Sequence, residues 1–326
     1  MEEEVRFVNH VPDTLKEVDR VEIVTLIDNY VDVLLKDTDV VTRAAHRKRE
    51  EIPTDTLVAE HGLSLLVTVH KGTKTHTILF DTGYSQIGVP HNMALLGIDL
   101  QEIEAIVMSH AHMDHTGSLH TILEGMRGPM TLVVHPGAFL FPRYIERDDG
   151  TRQRFPRTLS REDLVSEKLK IVESKTPVLL ADDGLMVTGQ VERTTEFEKG
   201  LPGALLEREG KMVPDPISDD QALVLNLKEK GLVVISGCSH SGIINTILHA
   251  QKLTGQRKVH AVLGGFHLTG PAFEPIIEKT ISELKNVAPK VIVPMHCTGW
   301  KAIQRLEHEL PSAFVLNSVG SKITLP

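Results

Sequence analysis

The sequence predicts an α/β fold in which helices cover sheets. Three observations support this. The first half reads mainly as β-branched and Leu-rich strands, the C-terminal half alternates strand and helix three times, and histidines gather where strands end.

Taken in order, "VEIVTLIDNY" (21–30) and "LSLLVTVH" (63–70) read as strands, and "HTILFDTG" (76–83) as a third, closed by the turn at Thr82 and Gly83. A helix is expected through Met93 to Leu96. "EAIVMS" (104–109) is a short apolar strand running into a histidine cluster, and "GPMTLVVHPGAF" (128–139) supplies another. From Phe141 to about Glu173 the chain turns polar, with Arg143, Arg147, Arg152, Arg154 and Arg157 close together, so 141–173 reads as an insertion or lid. Then "GLVVISGCSH" (231–240) is a strand. Ile243, Ile244, Ile247, Leu248 and Leu253 follow at helical spacing, with Ser241 as a candidate cap and Gly255 as the stop. "KVHAVLGGFHL" (258–268) precedes the amphipathic "PAFEPIIEKTISELKNV" (271–287), and "KVIVPMHCTGW" (290–300) precedes "KAIQRLEHEL" (301–310).

With 326 residues the chain is long enough for a sizeable core, and 41% hydrophobic and 24% charged residues are ordinary for a globular protein. The net charge of -9 argues against a general nucleic-acid binder. The acidic start "MEEEVRFVNH" contains no apolar run, and no stretch approaches the roughly 18 apolar residues of a membrane span. Two cysteines, Cys238 and Cys297, make no disulfide framework, so a cytoplasmic protein with no membrane partner is expected.

The chemistry concentrates in "SHAHMDHTGSLH" (109–120), where His110, His112, Asp114 and His115 fall within six positions. Imidazole and carboxylate groups crowded in this way serve a metal. His110 and His112 project to one side of an extended segment, and Asp114 and His115 turn toward a second position. His240 and His296 also follow apolar strands, on the rim where α/β proteins bind ligands. His267 ends a strand on the same rim and reads as a substrate or leaving-group contact, or as a histidine satisfied by backbone. His61 lines the cleft or simply occupies a turn, and Asp81 orients a ligating imidazole. Cys238 is either a thiolate ligand or a buried core cysteine.

The stretches "ILFDTG" (78–83), "HAHMDH" (110–115) and "VPMHCTG" (293–299) resemble the metallo-β-lactamase superfamily. The resemblance implies one domain spanning 1–326, an αβ/βα four-layer sandwich with the metal site on the rim between two sheets. It implies His110 and His112 on a first metal, and Asp114, His115 and His296 on a second. Cys238 matches the position of the bridging residue, and Gln190 stands where a third histidine for the first metal is usual. His240 is the histidine best placed to fill that gap, with His135 as the alternative. More narrowly, "EHGLSLLV", "DDQALVLNL", "GCSHSGIINTI" and "GGFHL" resemble the dihydropterin–ribofuranosylaminobenzene-phosphate synthase-like branch.

The resemblance implies a metal-dependent hydrolase with one or two divalent ions, zinc first, with manganese or iron as alternatives. Such ions lower the pKa of water toward ~7. Asp114 would hold a metal and orient the nucleophile, while His267 assists the leaving group. The arginines of 143–157 favour a small anionic phosphate ester or diester as substrate, and a lactone or thioester suits the same chemistry. The condensation named by the branch would call for stacking aromatics, and the chain has 4% aromatics and one tryptophan, Trp300. Two further alternatives are an iron redox protein and a non-catalytic metal-binding regulator.

Overall fold

A computed structural model describes residues 5–7, 15–44, 51 and 54–326. Two eight-stranded sheets carry the architecture. One runs, edge to edge, Leu169–Glu173, Met130–Val134, Ala105–Val107, Lys74–Phe80, Ser64–Lys71, Arg20–Ile27, Lys322–Leu325 and Val41–Thr42. The other runs Arg6–Phe7, Val178–Leu180, Leu185–Val187, Ala222–Leu227, Gly231–Ser236, Val259–Gly265 and Val291–Met295, with Glu17–Val18 beside Ala222–Leu227.

Side-chain alternation explains how the sheets stack. In Ser64–Lys71, Leu65, Val67 and Val69 enter a core shared with Leu223, Leu225, Val233, Ile235 and Leu263 of the opposite sheet. Leu66 points the other way, to a separate cluster with Val89 and Met93 of helix Gly88–Leu96 and with Leu119 and Ile122 of helix Leu119–Gly125. On the far side, Val224, Val234, Val262 and Ile292 meet helices Ile243–Thr254, Ile277–Val287 and Trp300–Glu309. Both faces of each sheet are therefore apolar, and the result is a helix–sheet–sheet–helix, αβ/βα sandwich. No helix among the described residues is long and apolar enough to cross a membrane.

The polar stretch 141–173 is woven into this frame. Arg143–Glu146 and Arg152–Arg154 join Ala204–Arg208 and Lys211–Pro214 in a small antiparallel sheet. Leu169–Glu173 is an edge strand of a main sheet, parallel to Met130–Val134. The cap of helix Ile243–Thr254 also differs from expectation. Gly242, at φ 98°, is the N-cap, and the Glu198 carboxylate accepts from the N–H groups of Ile244 (2.9 Å) and Asn245 (2.8 Å). Ser241 instead donates its own N–H to Asp220, at 2.8 Å. Gly255 closes the helix in the left-handed region, as its sequence position suggests.

Candidate metal centre

Strands of both sheets end on one rim, and their exits are sharply bent. Asp81, Ser239, His267 and His296 all have positive φ, between 44° and 59°. Non-glycine residues held this way cost on the order of 1–3 kcal/mol each and cluster at functional sites. Gly237 and Gly265 let the turns interlock: a Cβ on Gly237 would lie 2.1 Å from Ser109 Oγ, and one on Gly265 would lie 2.4 Å from the Gly237 carbonyl.

Two groups of donors converge there. His240 Nε2 lies 3.2 Å from His110 Nε2 and 3.1 Å from His112 Nδ1. Beside them, His115 Nε2 is 3.1 Å from Cys238 Sγ, and Asp114 Oδ2 is 3.2 Å from His296 Nε2. Asp114, His115, Cys238 and His296 each place a ligand atom within 4.8 Å of the others, and Cys238 also groups with His240 and His267. His135 belongs to neither group: it is buried, and its Nδ1 accepts from the Gly137 N–H. His120 and Gln190 are exposed.

The donor set fits divalent ions. Tetrahedral nitrogen ligands at 2.0–2.1 Å from zinc stand about 3.3 Å apart, close to the spacing seen among the three imidazoles. Remote nitrogens are held as donors. His115 Nδ1 is 2.6 Å from the Asp81 carboxylate, His110 Nδ1 is 2.9 Å from Ser109 Oγ, and His296 Nδ1 is 3.1 Å from Asn29 Oδ1. Each of these contacts leaves the inward nitrogen with its lone pair free for a metal. The buried His296 Nε2 has only the Asp114 carboxylate near it, at 3.2 Å, without the alignment of a hydrogen bond.

Electrostatics favour the ligating forms of most of these groups. Burial, then the neighbouring imidazoles, holds His110 and His240 well below the ordinary histidine range, and burial takes His112 down to about 4. Burial also opposes protonation of His115, but the Asp81 and Asp114 carboxylates outweigh it and raise this histidine to about 9. Desolvation would raise Asp114, yet His115, His296 and His112 keep it well below the usual carboxylate range. Burial pushes the Cys238 thiol up. A bound cation would offset that desolvation.

Several supporting residues escaped the sequence reading. Asp219 accepts from the Ala111 N–H at 3.0 Å and pairs with Arg143 at 2.6 Å, fixing the histidine loop. Asp220 holds the His240 loop through Ser241, and Asn29 orients His296. The acidic pair before the strand Ala222–Leu227 was the visible signal for the first two. The arginine reading needs correction at Arg143, while Arg147, Arg152, Arg154 and Arg157 stay exposed. Arg143 is buried between Asp215 and Asp219, Arg152 pairs with Glu146, Arg157 with Glu162, and Arg147 bonds Gln153. Arg143 therefore braces the fold and does not recruit substrate from solvent.

The two flanks of the centre differ. Phe155 stacks on His112, with ring centroids 5.0 Å apart and planes 7° from parallel, and Thr158 Oγ1 donates to the Ala111 carbonyl at 2.6 Å. Only about 10 Å³ remains on that flank. On the other flank His240 and His267 border a cavity of about 230 Å³. His61, largely exposed, stands at the mouth, 3.7 Å from Asp114 Oδ2.

Comparison with known proteins identifies the fold and the family. The family described as Metallo-beta-lactamase superfamily matches residues 58–194. The 7,8-dihydropterin-6-methyl-4-(beta-D-ribofuranosyl)-aminobenzene-5'-phosphate synthase of Methanocaldococcus jannaschii is 35% identical over 259 residues, covering 78% of this chain and 87% of that protein. An uncharacterized protein of the same organism is 32% identical over 269 residues, covering 81% of this chain and 93% of its own length. Among solved structures, Tm1679, a metal-dependent hydrolase of the beta-lactamase superfamily, superposes with a TM-score of 0.69 at 24% identity, over 94% of this chain and 98% of that one. Fold, strand-end histidines and sequence likeness lead to the same place: the chain belongs to the metallo-β-lactamase superfamily, in its dihydropterin–ribofuranosylaminobenzene-phosphate synthase-like branch.

Proposed function

We propose that the protein is a metal-dependent hydrolase of a small ester, with His110, His112 and His240 holding one divalent ion and Asp114, His115, His296 and Cys238 a second. The observation that carries this reading is the approach of His240 Nε2 to within 3.2 Å of nitrogens of both His110 and His112, next to a second group that offers carboxylate, imidazole and sulfur. Imidazoles combined with a thiol suit zinc best, with iron or manganese as alternatives. Bound divalent ions supply Lewis acidity, which polarises an ester oxygen and acidifies water.

The protein's own groups then have distinct tasks. Asp81 and Ser109 keep His115 and His110 in the tautomers that face inward. Asp114, with its Oδ2 near His61, would help hold the second ion and orient the attacking water. His267 borders the open cavity, on the side from which a leaving group departs, and is placed to return a proton to it. The substrate class is a phosphate ester or diester, a lactone or a thioester. Burial removes Arg143 from the arginines that could favour phosphate, while Arg147, Arg152, Arg154 and Arg157 remain exposed and keep that preference open to test.

The test joins metal analysis of protein purified without added metal to a panel of these esters. Turnover should disappear on chelation and return with zinc or manganese. Full turnover with metal verified as absent would refute the reading. The 35% identity to the named synthase favours a second reading, a condensation on a pterin. Condensed product from pterin and aryl substrates, with every ester left intact, would establish it instead.

A further inference from the structure

We propose that the cavity beside His240 and His267 is a specificity pocket for a compact apolar group of the substrate, the size of a phenyl ring. The proposal rests on the hydrolase reading above, and it fixes which way the substrate lies across the centre. The His112 flank is closed by Phe155 and leaves about 10 Å³. The opposite flank offers about 230 Å³, so the body of a substrate extends that way. This is less than the ~300–1,000 Å³ of sites that enclose a whole drug-sized ligand. The cavity therefore receives one substituent, with the remainder outside.

Its walls decide the chemistry. Phe197, Phe266, Phe273, Leu268 and Ile276 line it. Phe273 meets the His267 ring edge-on, with centroids 4.5 Å apart and planes at 84°. The N-terminus of helix Ile243–Thr254 at the cavity is not open to an anion, because the Glu198 side chain already takes the Ile244 and Asn245 N–H groups. The exposed Lys199 also borders the cavity, but a phosphate or carboxylate seated inside would face the buried Glu198, whereas a ring would bury its surface against phenylalanines. The charged, reacting part of the substrate belongs at the metal groups, and its apolar substituent in the cavity.

The experiment is calorimetric binding of methylphosphonate, phenylphosphonate and naphthylphosphonate to the zinc-loaded protein, with ester turnover measured in parallel. Phenylphosphonate should bind roughly ten-fold or more tighter than methylphosphonate, the minimum expected for burying a ring. Ala272→Trp, at an exposed rim position, should abolish that preference and leave methylphosphonate binding unchanged. Phe273→Ala, which widens the cavity, should shift the preference toward naphthyl. Equal binding of methyl and phenyl compounds, binding of neither, or a preference untouched by both variants would overturn the pocket. If the phenyl preference holds but no ester is hydrolysed, the pocket stands and the hydrolase reading falls.

Discussion

Each pinned histidine of the centre gives one nitrogen to the interior and is steadied by the other, through Asp81, Ser109 or Asn29. Two lack such a pin: His112 is stacked on Phe155, and the buried Nδ1 of His240 has no hydrogen-bond partner, the His240 ring being held by contact with His110, His112 and His267. Removing His240 should take away a ligand without unfastening a network. We predict that His240→Ala lowers metal content by about one ion per chain with the fold intact. His135→Ala, outside both groups, should leave metal content unchanged, and the reverse pattern in metal analysis would reject the assignment. Cobalt-substituted protein should show a sulfur-to-cobalt absorption band that Cys238→Ser abolishes, and a band surviving that change would make Cys238 a packing residue. At this scale the sequence was most readable where ligands are neighbours, as in "HAHMDH" (110–115). Asn29 could not be read in the same way, because it sits in an ordinary turn and acts on His296, which folding brings to it from 267 residues away.

Among the elements, helix Ile243–Thr254 has the most instructive start. Its amphipathic spacing was plain in the sequence, but its cap comes from Glu198, which is distant in sequence and recruited by tertiary packing. Burial, opposed by the N–H bonds of Ile244 and Asn245, raises the Glu198 carboxyl to about 7. Below about pH 4.5 it is protonated in the folded and unfolded chain alike, and its contribution to stability is complete. Between about 4.5 and 7 the unfolded chain releases the proton while the folded one retains it, so stability falls as pH rises. The loss is on the order of 3 kcal/mol. Urea unfolding of the wild type against Glu198→Gln should show the wild type losing ground to the variant from about pH 5 to about pH 8. A pH-independent difference would mean that Glu198 ionises normally. The segment 141–173 was illegible for a related reason. Its arginines mask short strands, and Arg143 is buried only because Asp215 and Asp219, far along the chain, neutralise it.

For the whole molecule, the centre is a clasp between sheets. Asp81 and residues 110–115 leave strands of one sheet, and Cys238, His240 and His296 leave strands of the other. Metal binding and sheet docking are therefore linked, and ions bound only by the folded protein stabilise it by mass action. Chelation should lower Tm by on the order of 10 °C, taking about 4 kcal/mol for ions at a thousand times their Kd. Calorimetry with and without zinc checks this, and an unchanged Tm with metal verified as absent would show a site formed independently of the docking. The layered class was legible because apolar runs alternate with helical spacing in the C-terminal half. Which strands neighbour one another was not, since local sequence does not encode long-range pairing.

One such pairing bears on how the protein is made. Arg20–Ile27 is flanked on one side by Lys322–Leu325, in antiparallel register from Val21 opposite Leu325 to Val24 opposite Lys322. A ribosome therefore exposes the first of these strands long before it delivers the second. Throughout that interval the nascent sheet presents an open, hydrogen-bond-hungry edge backed by Val21 and Ile23, the kind of edge on which chains stick to one another. We expect the yield of folded protein to depend on how long this edge stays open, so a chaperone that shields it should matter more for yield than for the stability of the finished fold. Stalled chains lacking residues 322–326 should aggregate or be cleaved rapidly by added protease. If they resist as well as the full chain does, the edge is protected by some other means.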